Sequence, residues 1–192
     1  MASVLQVETI KDSGGNNNAI EIANTSANVT INNLAGGTIG SAVTFPTGSI
    51  TNFQHSSTTP VSQYSASSHT DVTGTSMTYT PATGASKVFY QTRFVVGYED
   101  TRIIAHFKIV HDGSTVNGTR QTIDSAGSAT YWTSQLIISH VFTAWSGSKV
   151  TKVQFREYSA SYDSELHNSQ FWDGSSSSNQ KLDVHTIMYS IM

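Results

Sequence analysis

The sequence has no cysteine, only three prolines in 192 residues, and few charged side chains. Without cysteine it can form no disulfide framework, no thiolate zinc site and no thiol nucleophile. Charged residues make up 12% of the chain, whereas globular domains average about 25%. The net charge of −3 argues against the broad basic surface that nucleic acids and anionic membranes attract. We therefore expect no nucleic-acid binding and no membrane insertion.

Long apolar runs are also missing. No stretch of about 20 apolar residues occurs, so the sequence predicts no transmembrane helix. Residues 1–10 lack the basic start and the apolar core of about 7 to 15 residues that a secretory signal needs. We expect a soluble protein made in a cytoplasm.

Short alternating runs of apolar and polar residues, separated by Gly, Asn and Ser, fill residues 1–45. Ile20 with Ile22, and Val29 with Ile31, show the two-residue period of β-strands. Strands this short are marginal in water, so they need copies of themselves or a larger assembly for pairing. We predict an anchoring and oligomerisation module over residues 1–45.

Longer strands follow a Pro and a Gly in the segment VTFPTG, which marks a boundary. We predict a linker and first strand over residues 46–75, and then an all-β domain over residues 76–192. Asp112-Gly113 between two β runs predicts a type I′ hairpin. The even spacing favours a two-sheet, jelly-roll-like sandwich. Its predicted strands span residues 77–80, 88–98, 103–111, 115–123, 130–145, 150–158 and 181–191.

The alternation of apolar and polar residues within these strands predicts one face that packs in the core and one that is more exposed to solvent. Val88, Tyr90, Phe94 and Val96 are predicted to share the core face of one strand. Residues 130–145 are apolar on both faces, which predicts a central strand whose outer side packs on another subunit. Because a large bare apolar sheet aggregates, we expect a homotrimer.

Several segments resemble one family. VLQVETIKDSGG, AIEIANTSANVTINNL and VTFPTG resemble the N-terminal module of tail-fibre-like virion proteins from marine tailed bacteriophages, including cyanophages. The downstream segment SMTYTPATGASKVFYQTRF is similar to the sandwich domains of the same proteins. The resemblance spans most of the chain.

The resemblance implies a virion protein, made in the host cytoplasm, that forms a short tail fibre or spike. Residues 1–45 would bind other virion proteins, and the distal sandwich would attach to a host-surface glycan or outer-membrane protein. The alternative is a capsid or tail decoration protein that stabilises the particle without binding a receptor. An enzyme that degrades surface polysaccharide is a third, less favoured, interpretation.

Catalytic and metal chemistry lack a sequence signature. The seven histidines show neither H-x-H nor H-x-x-x-H spacing, which zinc and iron sites commonly use. The acid pairs Glu99 with Asp100 and Asp163 with Glu165 lie in predicted loops, where solubility explains them more simply than glycoside cleavage. Neither G-x-S-x-G nor a phosphate loop occurs. We expect no enzyme activity, no catalytic residue, no metal and no cofactor.

Aromatic residues in predicted loops are the candidates for ligand binding. Flat rings beside short polar side chains hold sugars or varied protein surfaces by stacking and hydrogen bonding. The alternative is that the rings fold back into the core. The candidate residues are Tyr98, Tyr158, Tyr162, Phe171 and Trp172.

Overall fold

A computed structural model describes residues 46–64, 67–99, 102–126, 131–159, 164–172, 174 and 177–192. The module predicted over residues 1–45 lies outside the described residues. The described part is almost entirely β-structure.

Fourteen strands and one short 3₁₀ turn follow one another along the described chain. The turn, η1, covers Asn117–Thr119. The strands are β1 Ile50–Thr58, β2 Gln63–Tyr64, β3 Thr70–Asp71, β4 Met77–Tyr79, β5 Lys87–Glu99, β6 Arg102–His111, β7 Ser114–Thr115, β8 Gln121–Ala126, β9 Tyr131–Thr143, β10 Lys149–Glu157, β11 Ser164–Leu166, β12 Asn168–Trp172, β13 Ser177–Lys181 and β14 Val184–Ile191.

Two antiparallel sheets carry the main strands. The first sheet has the order β1-β14-β5-β9. The short strand β11 pairs with the same edge of β5 as β14 does, further along β5, and β2 pairs with β11. The second sheet has the order β4-β10-β6-β8, with β3 beside β10 and β7 beside β6. Strands β12 and β13 form a separate hairpin.

This strand order is that of an eight-stranded jelly roll. The first main strand, β1, pairs with the last, β14, and the chain crosses repeatedly between the two sheets. Such crossing is the double Greek key of the jelly roll. The predicted all-β sandwich is confirmed. The segment predicted as linker and first strand contributes β1, β2 and β3 to it.

The core lies between the two sheets and follows the predicted alternation. Val88, Tyr90, Phe94 and Val96 are all at most 1% exposed. Phe107, from the second sheet, packs on Phe94 with ring centroids 5.6 Å apart. Each large buried side chain of this kind contributes about 1.5–3 kcal/mol to folding.

Three hydroxyl groups in this core are hydrogen-bonded. The Tyr90 hydroxyl donates to the Thr75 carbonyl at 2.6 Å. The Thr92 and Thr186 hydroxyls lie 2.8 Å apart across β5 and β14. Burial raises the pKa of Tyr90, so the phenol keeps its proton and remains a donor. These bonds satisfy groups whose burial would otherwise cost about 1–3 kcal/mol each.

The turn predicted at Asp112-Gly113 is present. Asp112 and Gly113 join β6 to β7 with φ of 49° and 79°, the two positive values that a type I′ turn requires. The predicted strand over residues 115–123 is instead interrupted by η1. The Thr119 hydroxyl there donates to the Val116 carbonyl at 2.7 Å and accepts from the Ile109 amide at 2.9 Å.

The prediction of a central strand over residues 130–145 is wrong. Among the described strands β9 pairs only with β5, which makes it an edge strand. Its outward Ile137 and Val141 are 52% and 46% exposed. Trp145, which follows β9, packs inward against Tyr79 and His111.

One buried histidine stands between β11 and β12. His167 is 0% exposed, has φ of 70° and packs against the Phe94 ring. Its amide donates to the Val95 carbonyl, but neither ring nitrogen has a hydrogen-bond partner among the residues that the structure describes. Burial, with a smaller contribution from Lys181, lowers the pKa of His167 to about 4.

Gly74 provides a test of the packing between β1 and β14. Its φ is 83°, and an added Cβ would lie 3.0 Å from Val184 Cβ and 3.3 Å from Thr58 Cβ. We expect Gly74→Ala to lower the free energy of unfolding by about 1–2 kcal/mol for the left-handed backbone and by about 1–3 kcal/mol more for overpacking. Gly113→Ala is the matched control, because φ is 79° there but the space is open. Urea unfolding measures both variants, and an equal decrease in the free energy of unfolding of the two would contradict the overpacking expected at Gly74.

His167 predicts a loss of stability in acid. Because its native pKa of about 4 lies below the ordinary 6.5, the unfolded chain takes up a proton first as the pH falls. Stability is full above about pH 6.5 and declines by about 3 kcal/mol towards pH 4. We expect His167→Asn to remove most of this decline, since Asn tolerates positive φ. Urea unfolding of both proteins at pH 7.5 and pH 4 measures the difference, in which contributions from other histidines cancel. An identical decline in the variant would contradict the assignment.

Candidate recognition surface

Of the five predicted binding residues, Tyr158 has a described side chain. It follows β10 directly, its amide donates to the Ile104 carbonyl at 2.9 Å, and it is 73% exposed. Tyr162 lies outside the described residues. The backbones of Tyr98, Phe171 and Trp172 lie in β5 and β12, but their side chains are outside the described part of the structure. The site is therefore built around Tyr158.

Tyr158 borders the outer face of the second sheet, where basic side chains collect. Arg156 of β10 lies directly opposite His106 of β6, and both alternate with buried core residues. Lys108 is two residues further along β6, and Arg120 immediately precedes β8. We call the set His69, His106, Lys108, Arg120 and Arg156 the basic face.

Two histidines of the basic face contact each other. His69 Nε2 lies 3.1 Å from His106 Nδ1, and the rings meet edge to face with centroids 5.3 Å apart. Partial burial is the largest cause that lowers the pKa of both histidines, and nearby Lys108, Arg120 and Arg156 lower it further. The pair therefore favours the neutral form at pH 7, with one ring donating to the other.

Asp71, an acidic residue beside this face, pairs with side chains outside the basic face. Asp71 accepts hydrogen bonds from Lys152 at 2.6 Å and from Gln154 at 2.9 Å. Partial burial would raise the pKa of Asp71, but these two bonds lower it below its usual value. Within the described ranges, no acidic side chain forms a salt bridge with Lys108, Arg120 or Arg156. Asp124 of β8 lies opposite Ile104 of β6.

A cavity of about 310 Å³ opens between Tyr158 and the basic face. Its lining includes the guanidinium-bearing Arg156, the imidazole of His106 and the hydroxyl-bearing Thr122. Arg156 Nε donates to the Glu157 carbonyl at 3.3 Å. The full lining is Ile104, His106, Thr122, Arg156, Glu157 and Tyr158. This arrangement offers an aromatic ring, a planar cation and neutral donors to one small polar ligand.

Sequence reasoning missed the basic face, although part of the signal was present. Lys152, Gln154 and Arg156 alternate with apolar residues on β10, as His106 and Lys108 do on β6. Period-two alternation places each set on one face of its strand. That β10 and β6 are neighbours, and that His69 meets His106, depends on long-range pairing that no spacing reveals.

A second exposed surface lies on the outer face of the first sheet. Tyr189 of β14 stacks between Phe53 of β1 and Phe89 of β5, with ring centroids 6.3 Å and 5.0 Å away. Val141 of β9 is paired with Phe89 and continues the row. Phe53 is 59% exposed. We call Phe53, Phe89, Val141 and Tyr189 the aromatic face.

The described residues contain no group of three or more His, Asp or Glu side chains that could hold a metal ion. In the same part of the chain, no helix has the length and apolarity needed to cross a bilayer. No protein-family model matches the sequence, and no curated protein is significantly similar to it.

Proposed function

We propose that this chain is a structural protein of a bacteriophage virion, a short tail fibre or spike, whose β-sandwich attaches to the host cell surface. The sandwich has no enzymatic role in this proposal. The resemblance of residues 1–45 and of the following segment to tail-fibre-like virion proteins supports the virion assignment. The observation that carries attachment is the exposed Tyr158 beside the cavity of the basic face.

Exposed aromatic rings next to charged hydrogen-bond donors are typical of recognition surfaces. The Tyr158 side chain is 73% exposed, and a tyrosine at the surface offers a ligand both stacking area and a hydroxyl for hydrogen bonding. Rigid strands position Arg156 and His106 beside it, which limits the entropy lost when a ligand binds. A surface glycan or an outer-membrane protein would fit such a surface.

The aromatic face supports a homotrimer as the assembled form. Its stacked rings and the neighbouring Val141 form an apolar strip, and the exposed Ile137 lies on the same side of β9. Monomeric proteins seldom leave such strips bare, and three-fold association would cover the strip of each copy around a common axis. Residues 1–45 would add contacts to other virion proteins.

The same aromatic face favours a second candidate, a capsid or tail decoration protein. In that case the strip would pack against the particle, and the basic face would have no receptor. Immunogold labelling of particles that carry the chain distinguishes the two. Label confined to the tail supports the fibre or spike, whereas label spread over the head supports decoration.

Attachment predicts a measurable role for Tyr158. We expect the fluorescently labelled full chain to bind marine cyanobacterial cells, the hosts that the resemblance implies. Tyr158→Ala should weaken this binding at least tenfold, because a stacking ring at a desolvated contact is typically worth more than about 1.4 kcal/mol. Tyr158→Phe keeps the ring and is the matched control. Absence of binding at saturating protein, or equal binding by all three proteins, would overturn attachment through this surface.

Association predicts a role for Val141. We expect the full chain to be trimeric by light scattering, and Val141→Lys to raise the dissociation constant at least tenfold, since it would bury an unpaired charge. Val61→Lys introduces the same charge at a residue 79% exposed and away from the sheet, so it should leave the trimer intact. A monomeric wild-type chain at micromolar concentration would contradict the proposed assembly.

A further inference from the structure

The charge of the protein is unevenly distributed. The chain carries a net charge of −3 with only ten Lys and Arg residues. Six of these ten lie in or directly beside strands of the second sheet: Arg102, Lys108, Arg120, Lys149, Lys152 and Arg156. Asp112 pairs with Lys149 and Asp71 with Lys152, whereas Lys108, Arg120 and Arg156 lie around the histidine pair. Such local clustering in an acidic protein points to an anionic ligand rather than to general solubility.

The geometry points to an acidic saccharide as the ligand of the basic face, with Arg156 and His106 holding its anionic group and Tyr158 stacking on the sugar ring. This inference rests on the proposed function, because cell attachment supplies a saccharide partner. It goes further in naming the charge of that partner and in placing the site on a sheet face rather than in the loops.

Three properties of the cavity favour a saccharide. Its volume of about 310 Å³ is at the small end of the range of about 300–1,000 Å³ for ligand sites, which suits one or two sugar rings. The Arg156 guanidinium matches the planar, bidentate geometry of a carboxylate or sulfate. Thr122 adds a hydroxyl at the opposite side of the lining for sugar hydroxyls.

A nucleic acid is the other polyanion to consider, and the structure argues against it. Nucleic-acid surfaces follow the backbone with a long basic stripe. Here the basic cluster is confined to one sheet face, and it is bordered by the carboxylates of Asp71 and Asp124. A ligand with a short, localised anionic group therefore matches the basic face better than a nucleic acid does.

Calorimetric titration of the full chain with an alginate oligosaccharide, whose sugars each carry one carboxylate, tests the inference. We expect binding that weakens as NaCl rises, because salt screens exposed charges, and no binding of a neutral dextran oligosaccharide. Arg156→Gln should weaken binding about tenfold or more, as expected for loss of a charge-assisted hydrogen bond. Lys87→Gln is the matched control, since it removes one positive charge at the start of β5 in the other sheet.

Further titrations distinguish recognition of the sugar ring from recognition of its anionic group. A dextran sulfate oligosaccharide distinguishes sulfate from carboxylate, and binding of either supports the site. Tyr158→Ser should weaken oligosaccharide binding without changing the binding of inorganic sulfate. The inference is overturned if inorganic sulfate binds as tightly as the oligosaccharides, if a single-stranded oligonucleotide binds equally well, or if Lys87→Gln and Arg156→Gln have equal effects.

The outcome is separable from that of the proposed function. Saccharide binding in solution together with absent attachment to cells would keep this inference and overturn attachment. Attachment to cells that Arg156→Gln leaves unchanged would keep the proposed function and overturn the acidic saccharide. Unfolding profiles of each variant in urea establish that it is folded before its binding is compared.

Discussion

Main-chain pairing along both edges of β5 is the constraint on which the rest of the structure depends. One edge pairs with β9 over all of Lys87–Glu99, and the other pairs first with β14 and then with β11. The first sheet is therefore assembled around this strand. Because side chains alternate with a period of two, a slip of one residue would exchange the whole core face for the outer face. Burial of Tyr90 and Phe94 thus also fixes where Phe89 and Arg93 point.

The same coupling produces the basic face on the second sheet. Phe107 and Phe155 are directly paired and fully buried, which fixes the register of β6 against β10. That register places His106 opposite Arg156 on the outer side. The positions of the two charged groups are therefore set by core packing, not by attraction between them. A rigid outer surface of this kind needs little reorganisation to bind a ligand.

Features that depend on neighbouring residues could be predicted from local sequence patterns. Features that depend on long-range strand pairing could not. The alternation at Val88–Val96 and the turn at Asp112-Gly113 needed only neighbouring residues, and both are confirmed. Pairing of β1 with β14 joins residues more than half the described chain apart, so no window of sequence contains it. The error at β9 has a physical reason. Apolar residues on both faces are shared by buried central strands and by edge strands with an exposed apolar surface.

The two candidate surfaces lie on opposite outer faces of one sandwich, and this placement would separate the proposed assembly from the proposed recognition. Association through the aromatic face would leave the basic face of every copy open to solvent. Three copies would then present three sites, and binding a polymer with repeated anionic groups at several sites would raise the overall affinity by about 10²–10⁴ without any new contact. A weak individual site is therefore compatible with firm attachment. The low charge of the rest of the chain would favour the same outcome, because few other cations compete for the polymer.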